Sequence, residues 1–367
     1  MDARILIVDD SAVMRQALTA MLGGVPGMRV IGQASDPVFA RHYMEQEWPD
    51  VIVLDIEMPR VDGLTFLRQI MRERPTPVVI CSGLTEHNVS LTLEALHAGA
   101  VSVVCKPAGA GIDLQSEQAE AFRDAIREAV AANVRRLQGL LQRRDLMLTP
   151  SRRRPTPPRI APAIVAIGIS TGGPRTLEEL LSRIHGPVPP IFVVQHMPVG
   201  FTAALARRLD GLTSLSVTEA RDAELLRPDH VYIAPAGLHS EVRASPTGGV
   251  IAHVRPGVRV SQHIPSVDVL FESVAAHIRR RSVGIVMTGM GNDGARGLRL
   301  MREAGALTVA QDEQSSVVYG MPRAAAESGA AEHVTDVRGI AELLGSLRGA
   351  RADTARSGPS ASPAQRG

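Results

Sequence analysis

The chain has 367 residues, 44% hydrophobic and 21% charged, a globular composition long enough for two separate cores. A formal net charge of +2 gives no overall pull towards nucleic acid or an anionic membrane surface. Aromatic residues make up only 3%, so Val, Ile, Leu, Ala and Met must build the cores.

The N-terminus, MDARILIVDD, lacks a basic-then-apolar leader, and its apolar run ends in two aspartates. Apolar runs follow at Ile5–Val8, Met28–Ile31, Val51–Leu54, Val78–Cys81 and Val101–Cys105. Helical patterns lie between them near 12–22, 37–47, 63–73 and 87–98, with a fifth near 114–132. Strands alternating with helices predict a parallel sheet covered on both faces, which explains why the runs are continuously apolar. Cys81 and Cys105 fall inside such runs and are expected to be buried free thiols, as suits a reducing cytoplasm.

This first domain is expected over 1–125, with a linker over 126–159. The linker is rich in arginine and proline, and its cluster Arg152–Arg154 reads as a solvated connection rather than a nucleic-acid contact. A second α/β domain is expected over 160–348. Its strand candidates are Ile164–Ile169, Ile191–Gln195, His230–Ala234, Gly249–His253, Val283–Met287 and Leu307–Ala310. Its helical patterns lie near 175–183, 200–209, 267–280, 294–304 and 336–347. Residues 349–367 are Ala-, Ser-, Pro-, Gly- and Arg-rich, an expected disordered tail. No stretch approaches the roughly 20 apolar residues of a membrane span, so a soluble cytoplasmic protein without direct membrane insertion is expected.

In a doubly wound sheet, ligands bind beyond the carboxyl ends of the strands. Asp9 and Asp10 end the first predicted strand, Asp55 the third, Ser82 the fourth, and Lys106 the fifth. Three carboxylates so placed repel one another unless a hard cation sits among them, and Mg²⁺ suits such an oxygen-rich site. Asp55 is then the best-placed phosphoryl acceptor, with Lys106 and the Ser82 hydroxyl contacting the phosphoryl oxygens.

The motifs VDD at 8–10, LDIEMPRVDG at 54–63, CSGLT at 81–85 and CKP at 105–107 resemble response-regulator receiver domains. The resemblance implies a flavodoxin-like five-stranded fold, phosphorylation of Asp55 by a partner histidine kinase, and Mg²⁺ held by Asp10, Asp55 and the Glu57 backbone carbonyl, with Asp9 nearby. Such receivers carry an acid and an aromatic shortly before the lysine, where this chain has Ser102 and Val103. The signal is therefore expected to leave through the backbone and Ser82 rather than a rotating ring.

In the second domain, Gly168-Ile169-Ser170-Thr171-Gly172 matches G-x-S-x-G where an apolar strand meets a glycine turn. Read from residues alone, Ser170 is a nucleophile, or the turn cradles a phosphate or is purely structural. His196, ending the run IFVVQ, is the candidate base, with His239 as its competitor. Asp293, in TGMGNDGA, either orients that imidazole or caps a helix. The chain order Ser, His, Asp differs from that of α/β-hydrolases.

Together GISTGGP at 168–174, QHMP at 195–198, IAPAG at 233–237, TGMGNDGA at 288–295 and AQDEQSSVVYGMPRAA at 310–325 resemble the catalytic domain of chemotaxis protein-glutamate methylesterases. The resemblance implies Ser170 as nucleophile, His196 as base and Asp293 as its partner, with Thr171 and Met290 at active-site positions and Met290 near the oxyanion. It also implies a doubly wound fold and hydrolysis of glutamyl γ-methyl esters, without a cofactor, on methyl-accepting chemotaxis receptors at inner-membrane arrays. Deamidation of receptor glutamines follows from the same acyl-enzyme chemistry. A receiver with a basic linker also occurs in transcription factors, but the second domain shows too many strands and no helix-turn-helix pattern.

Overall fold

The computed structural model describes residues 2–58, 62–83, 85–107, 113–133, 158, 161–246 and 248–347. The expected tail and most of the expected linker, including Arg152–Arg154, lie outside these residues.

The first sheet is built from β1 (Ala3–Val8), β2 (Met28–Ala34), β3 (Val51–Leu54), β4 (Val78–Ser82) and β5 (Ser102–Cys105). These strands pair in parallel in the order β2-β1-β3-β4-β5. Helices α1 (Ala12–Leu22), α2 (Pro37–Gln46), α3 (Gly63–Glu73), α4 (Glu86–His97) and α5 (Glu117–Val130) cover its two faces. Their starts are chemically marked, because Ser11, Asp36, Asp62, Thr85 and Ser116 each accept a backbone N–H of the following turn. All four residues of β3 are buried, as a strand covered on both sides requires.

The second sheet has seven parallel strands in the order β14-β13-β12-β6-β7-β9-β8. Five matched the apolar runs: β6 (Ile164–Ile169), β7 (Ile191–Gln195), β9 (His230–Ile233), β12 (Ser282–Val286) and β13 (Leu307–Gln311). The two edge strands, β8 (Ser216–Glu219) and β14 (His333–Thr335), were not expected, because short polar edges carry little periodic signal. The run expected at Gly249–His253 forms β11 (Val250–Arg255), but it pairs antiparallel with β10 (His239–Ala244) outside the main sheet.

The helices of this domain are α6 (Gly173–Ser182), α7 (Thr202–Asp210), α8 (Val267–His277), α9 (Ala295–Glu303), α10 (Met321–Glu327) and α11 (Val337–Ser346). From β6 the strand order runs outwards to β7 on one side and to β12 on the other. This reversal opens the crevice where α/β sheets bind ligands.

The two domains are joined across their sides. Helix α4 packs on α6 and α7. There Glu178 of α6, only 7% exposed, binds His97 of α4 at 2.6 Å, Arg208 at 2.7 Å and Arg175 at 3.1 Å. Burial alone would raise the Glu178 carboxyl, but the hydrogen bonds from His97 and Arg208 outweigh it and hold the group at about 2. Apolar residues of α5, among them Phe122 and Ile126, share one cluster with Val317, Val318 and Met290 of the second domain.

Candidate active site and phosphoacceptor pocket

Ser170 follows β6, His196 follows β7, and Asp293 lies beyond β12, three strands adjacent in the sheet. The register pairs Ile169 with Gln195, so the residues after each strand emerge side by side. Adjacent strand ends thus gather three segments far apart in sequence.

The backbone of Ser170 is fixed on both sides. Its N–H donates to the Thr288 carbonyl at 2.9 Å, and its carbonyl accepts Gln195 Nε2 at 2.9 Å. Thr288 is held in turn, its N–H donating to Gln311 Oε1 and its hydroxyl to the Thr171 carbonyl. Gly172 then adopts a left-handed φ of 74° at the start of α6, a conformation that disfavours any side chain.

His196 Nε2 lies 3.0 Å from Asp293 Oδ2. Its other nitrogen, Nδ1, is buried and has no hydrogen-bond partner among the described residues. Asp293 is more than a lone partner. Oδ2 also accepts from the Val267 N–H at 2.8 Å, while Oδ1 accepts from Ser266 Oγ at 2.8 Å and the Asp268 N–H at 3.0 Å. These donors form the first turn of α8, whose dipole favours an anion. Burial raises the Asp293 carboxyl, but His196 and these N–H groups outweigh it and keep it below the usual carboxylate range.

The alternative role for Asp293, capping the helix that follows it, is taken by another residue. Asp268 Oδ1 accepts the N–H groups of Gly294 and Gly297 at the start of α9. The competitor His239 is likewise occupied. Its Nε2 contacts the Val258 carbonyl at 2.7 Å, and its Nδ1 accepts the Ser266 N–H at 3.3 Å. It supports the loop beneath Asp293 rather than facing a substrate.

His263 was not singled out in the sequence. Its ring stacks on His196 with centroids 3.8 Å apart and planes 11° apart. Burial and the neighbouring His196 charge both push its pKa down, so it stays neutral beside His196. Replacing His263 by Ala should lower kcat about three- to tenfold, the worth of a ring contact, while Phe restores most of it. A kcat series at fixed pH checks this, and equal losses for both variants would contradict a stacking role.

Thr171 is buried, and its hydroxyl donates to Glu128 of α5 at 2.6 Å. Met290 is half-buried against the α5 cluster. Both expected neighbours therefore touch the first domain.

At the first domain's strand ends, carboxylate oxygens of Asp9, Asp10 and Asp55 lie within 4.8 Å of one another. Lys106 Nζ binds Asp55 Oδ2 at 2.6 Å and sits 3.1 Å from Asp9 Oδ2. The latter contact lacks hydrogen-bond geometry, leaving a buried carboxylate oxygen without a donor. Burial pushes the Asp55 carboxyl up to about 6 despite Lys106, with Asp9 adding to the rise. Three carboxylates this close, with a single ammonium group among them, fit a hard divalent cation. The Glu57 N–H donates to Asp55 Oδ1 at 3.0 Å. Ser82 is engaged elsewhere: its hydroxyl accepts from Thr92 at 2.8 Å and donates to the Gly83 carbonyl at 3.2 Å.

Comparison with known proteins agrees with both halves. The profile of the CheB methylesterase matches residues 165–344, and that of the response regulator receiver domain matches residues 5–114. A protein-glutamate methylesterase/protein-glutamine glutaminase of Chromobacterium violaceum is 47% identical over 95% of this chain and 100% of its own. One from Xanthomonas campestris is 46% identical over 92% of this chain and 99% of its own. The solved catalytic domain of the Thermotoga maritima CheB methylesterase is 37% identical, with a TM-score of 0.49, over 50% of this chain and 98% of that one. Full-length identity of this order, with a receiver preceding the methylesterase domain, means that this chain belongs to the CheB methylesterase family.

Proposed function

We propose that this chain is a phosphorylation-activated protein-glutamate methylesterase that removes γ-methyl groups from glutamyl side chains of chemotaxis receptors and deamidates receptor glutamines. The observation that carries the reading is the His196–Asp293 hydrogen bond at 3.0 Å, which leaves Nδ1 of His196 unbonded beside the strand end that bears Ser170. With Asp293 ionised, the neutral imidazole keeps its proton on Nε2, so Nδ1 is the basic nitrogen. His196 Nδ1 takes the Ser170 proton as Oγ attacks the ester carbonyl. Backbone N–H groups after Ser170 and around Met290 receive the oxyanion, each such donor contributing roughly 3 kcal/mol. Methanol leaves with the proton from His196, and water then cleaves the acyl-enzyme. A glutamine substrate loses ammonia at the same step.

Asp55 is the phosphoacceptor, with a histidine kinase as donor and Lys106 and Ser82 contacting the phosphoryl group. Asp10, Asp55 and the Glu57 carbonyl would hold Mg²⁺, with Asp9 nearby, and the ion would neutralise phosphoryl oxygen charge when bound. In the proposed resting state the receiver covers the catalytic crevice, a reading supported by the packing of α4 on α6 and α7 and of α5 against Val317, Val318 and Met290. Phosphorylation at Asp55 would weaken that cover. Neither activity calls for nucleic acid. No helix among the described residues is long and apolar enough to cross a membrane. Binding to the receptors would bring the protein to the membrane.

Methanol release from methylated receptor membranes tests the reading, with Ser170→Ala as the inactive control. Asp55→Asn should keep the basal rate but lose all stimulation by a phosphodonor. Stimulation that survives Asp55→Asn would remove Asp55 from its role, and methanol release by Ser170→Ala would remove Ser170 from its own.

A further inference from the structure

The receiver covers the crevice with a particular chemical group. Glu128 projects from α5, and its Oε2 accepts the Thr171 hydroxyl at 2.6 Å, one residue beyond the nucleophile. The His196 charge acts on the same carboxyl. Around this contact the Gly172 N–H donates to the Val101 carbonyl at 3.3 Å, and the Asn133 N–H to the Val317 carbonyl at 2.7 Å. A plug made only for bulk would be cheaper as an apolar side chain, because burying a carboxyl costs free energy unless a donor meets it. Burial indeed pushes the Glu128 carboxyl above the ordinary glutamate value.

A glutamate side chain borne on a helix and bound to Thr171, the residue after Ser170, has the chemistry of the reaction's own product. We propose that Glu128 occupies the subsite for the substrate's glutamyl side chain, so that α5 closes the enzyme as a product mimic and Thr171 is the hydroxyl that recognises the glutamyl oxygen. This rests on the methylesterase reading above and adds to it the identity of the subsite and the path of the substrate helix. Glu117 of α5 pairs with Arg259 of the catalytic domain at 2.9 Å. Glu128 lies eleven positions after Glu117, about three turns and ~16 Å along the helix, so both project from one face. A substrate helix following α5 would set an acidic residue about three turns before its target against Arg259.

The test uses the full chain, activated by an acyl phosphate with Mg²⁺, and a peptide of residues 116–133. A lactam between Glu120 and a lysine introduced as Asp124→Lys holds the peptide helical. The Glu128 peptide should inhibit methanol release from receptor membranes competitively, at least tenfold more tightly than its Glu128→Ala counterpart. Made as the Glu128 γ-methyl ester, it should itself release methanol with the wild-type enzyme and not with Ser170→Ala. In the unphosphorylated full chain, Glu128→Ala should lower KM severalfold, since it vacates the subsite.

Equal inhibition by the Glu128 peptide and its Glu128→Ala counterpart, no turnover of the ester peptide, or an unchanged KM for the Glu128→Ala chain would each overturn the proposal while receptor membranes are still hydrolysed. Failure to hydrolyse the receptor membranes themselves would instead bring down the methylesterase reading, and this one with it.

Discussion

Asp293→Asn should lower kcat about 10⁴-fold with little change in KM, the scale seen when a triad carboxylate becomes an amide. Four donors converge on the two carboxylate oxygens: His196 Nε2, the Val267 and Asp268 N–H groups and Ser266 Oγ. An amide offers one oxygen, so its NH₂ must face two of these donors. If the NH₂ takes the Oδ2 position, His196 must accept at Nε2 and carry its proton on Nδ1. That is the wrong tautomer for taking a proton from Ser170. In the other orientation, the amide turns its NH₂ to Ser266 and Asp268 and loosens the start of α8. Saturation kinetics on methylated receptor membranes, with circular dichroism as a check on folding, measure the effect. A loss below tenfold in a folded variant would mean that Asp293 is a structural acid.

The second large effect is expected at Gly289, which has no chemistry of its own. A Cβ built there would lie 2.7 Å from Ser170 Cβ and press on Met321 Sδ. The thioether can swing away, but Ser170 cannot, because Thr288 and Gln195 hold its backbone on both sides. Gly289→Ala must therefore displace Ser170, the proposed nucleophile, or the loop carrying Met290. A misplacement of about 1 Å costs about 100-fold in rate, and overpacking of this kind costs about 1–3 kcal/mol of stability. The expected outcome is a kcat down about 100-fold with a modest fall in Tm. Adding Met321→Ala should not recover the rate, and a recovered rate would put the strain on Met321 rather than on Ser170.

The fold class was legible because strands buried on both faces must be continuously apolar, and all five first-domain runs lie within or within one residue of the strands observed. The placement of Asp9, Asp10, Asp55, Ser82 and Lys106 near the ends of the first sheet's strands was legible for a related reason, since ligands of a doubly wound sheet collect there. The same logic led to the positions of Ser170, His196 and Asp293. It failed for β8, β10, β14 and α10, which are short, polar or at edges, and whose place is set by what they pack against.

Composition and spacing by themselves determined that there are two α/β layers of chemistry, a carboxylate cluster around Asp55 and a serine turn at Ser170. They could not rank His196 over His239, since both come shortly after apolar runs. Only the tertiary structure separates them, by turning His239 onto the loop carbonyl of Val258 and His196 onto Asp293. It also brought His263 onto His196, gave the capping role to Asp268 rather than Asp293, and set Glu128 against Thr171. The physical reason is common to all of these. Periodicity reports which face of an element is apolar, whereas a partner across the fold is chosen by the geometry of adjacent strand ends and helix N-termini, where residues distant in sequence compete for the same donors.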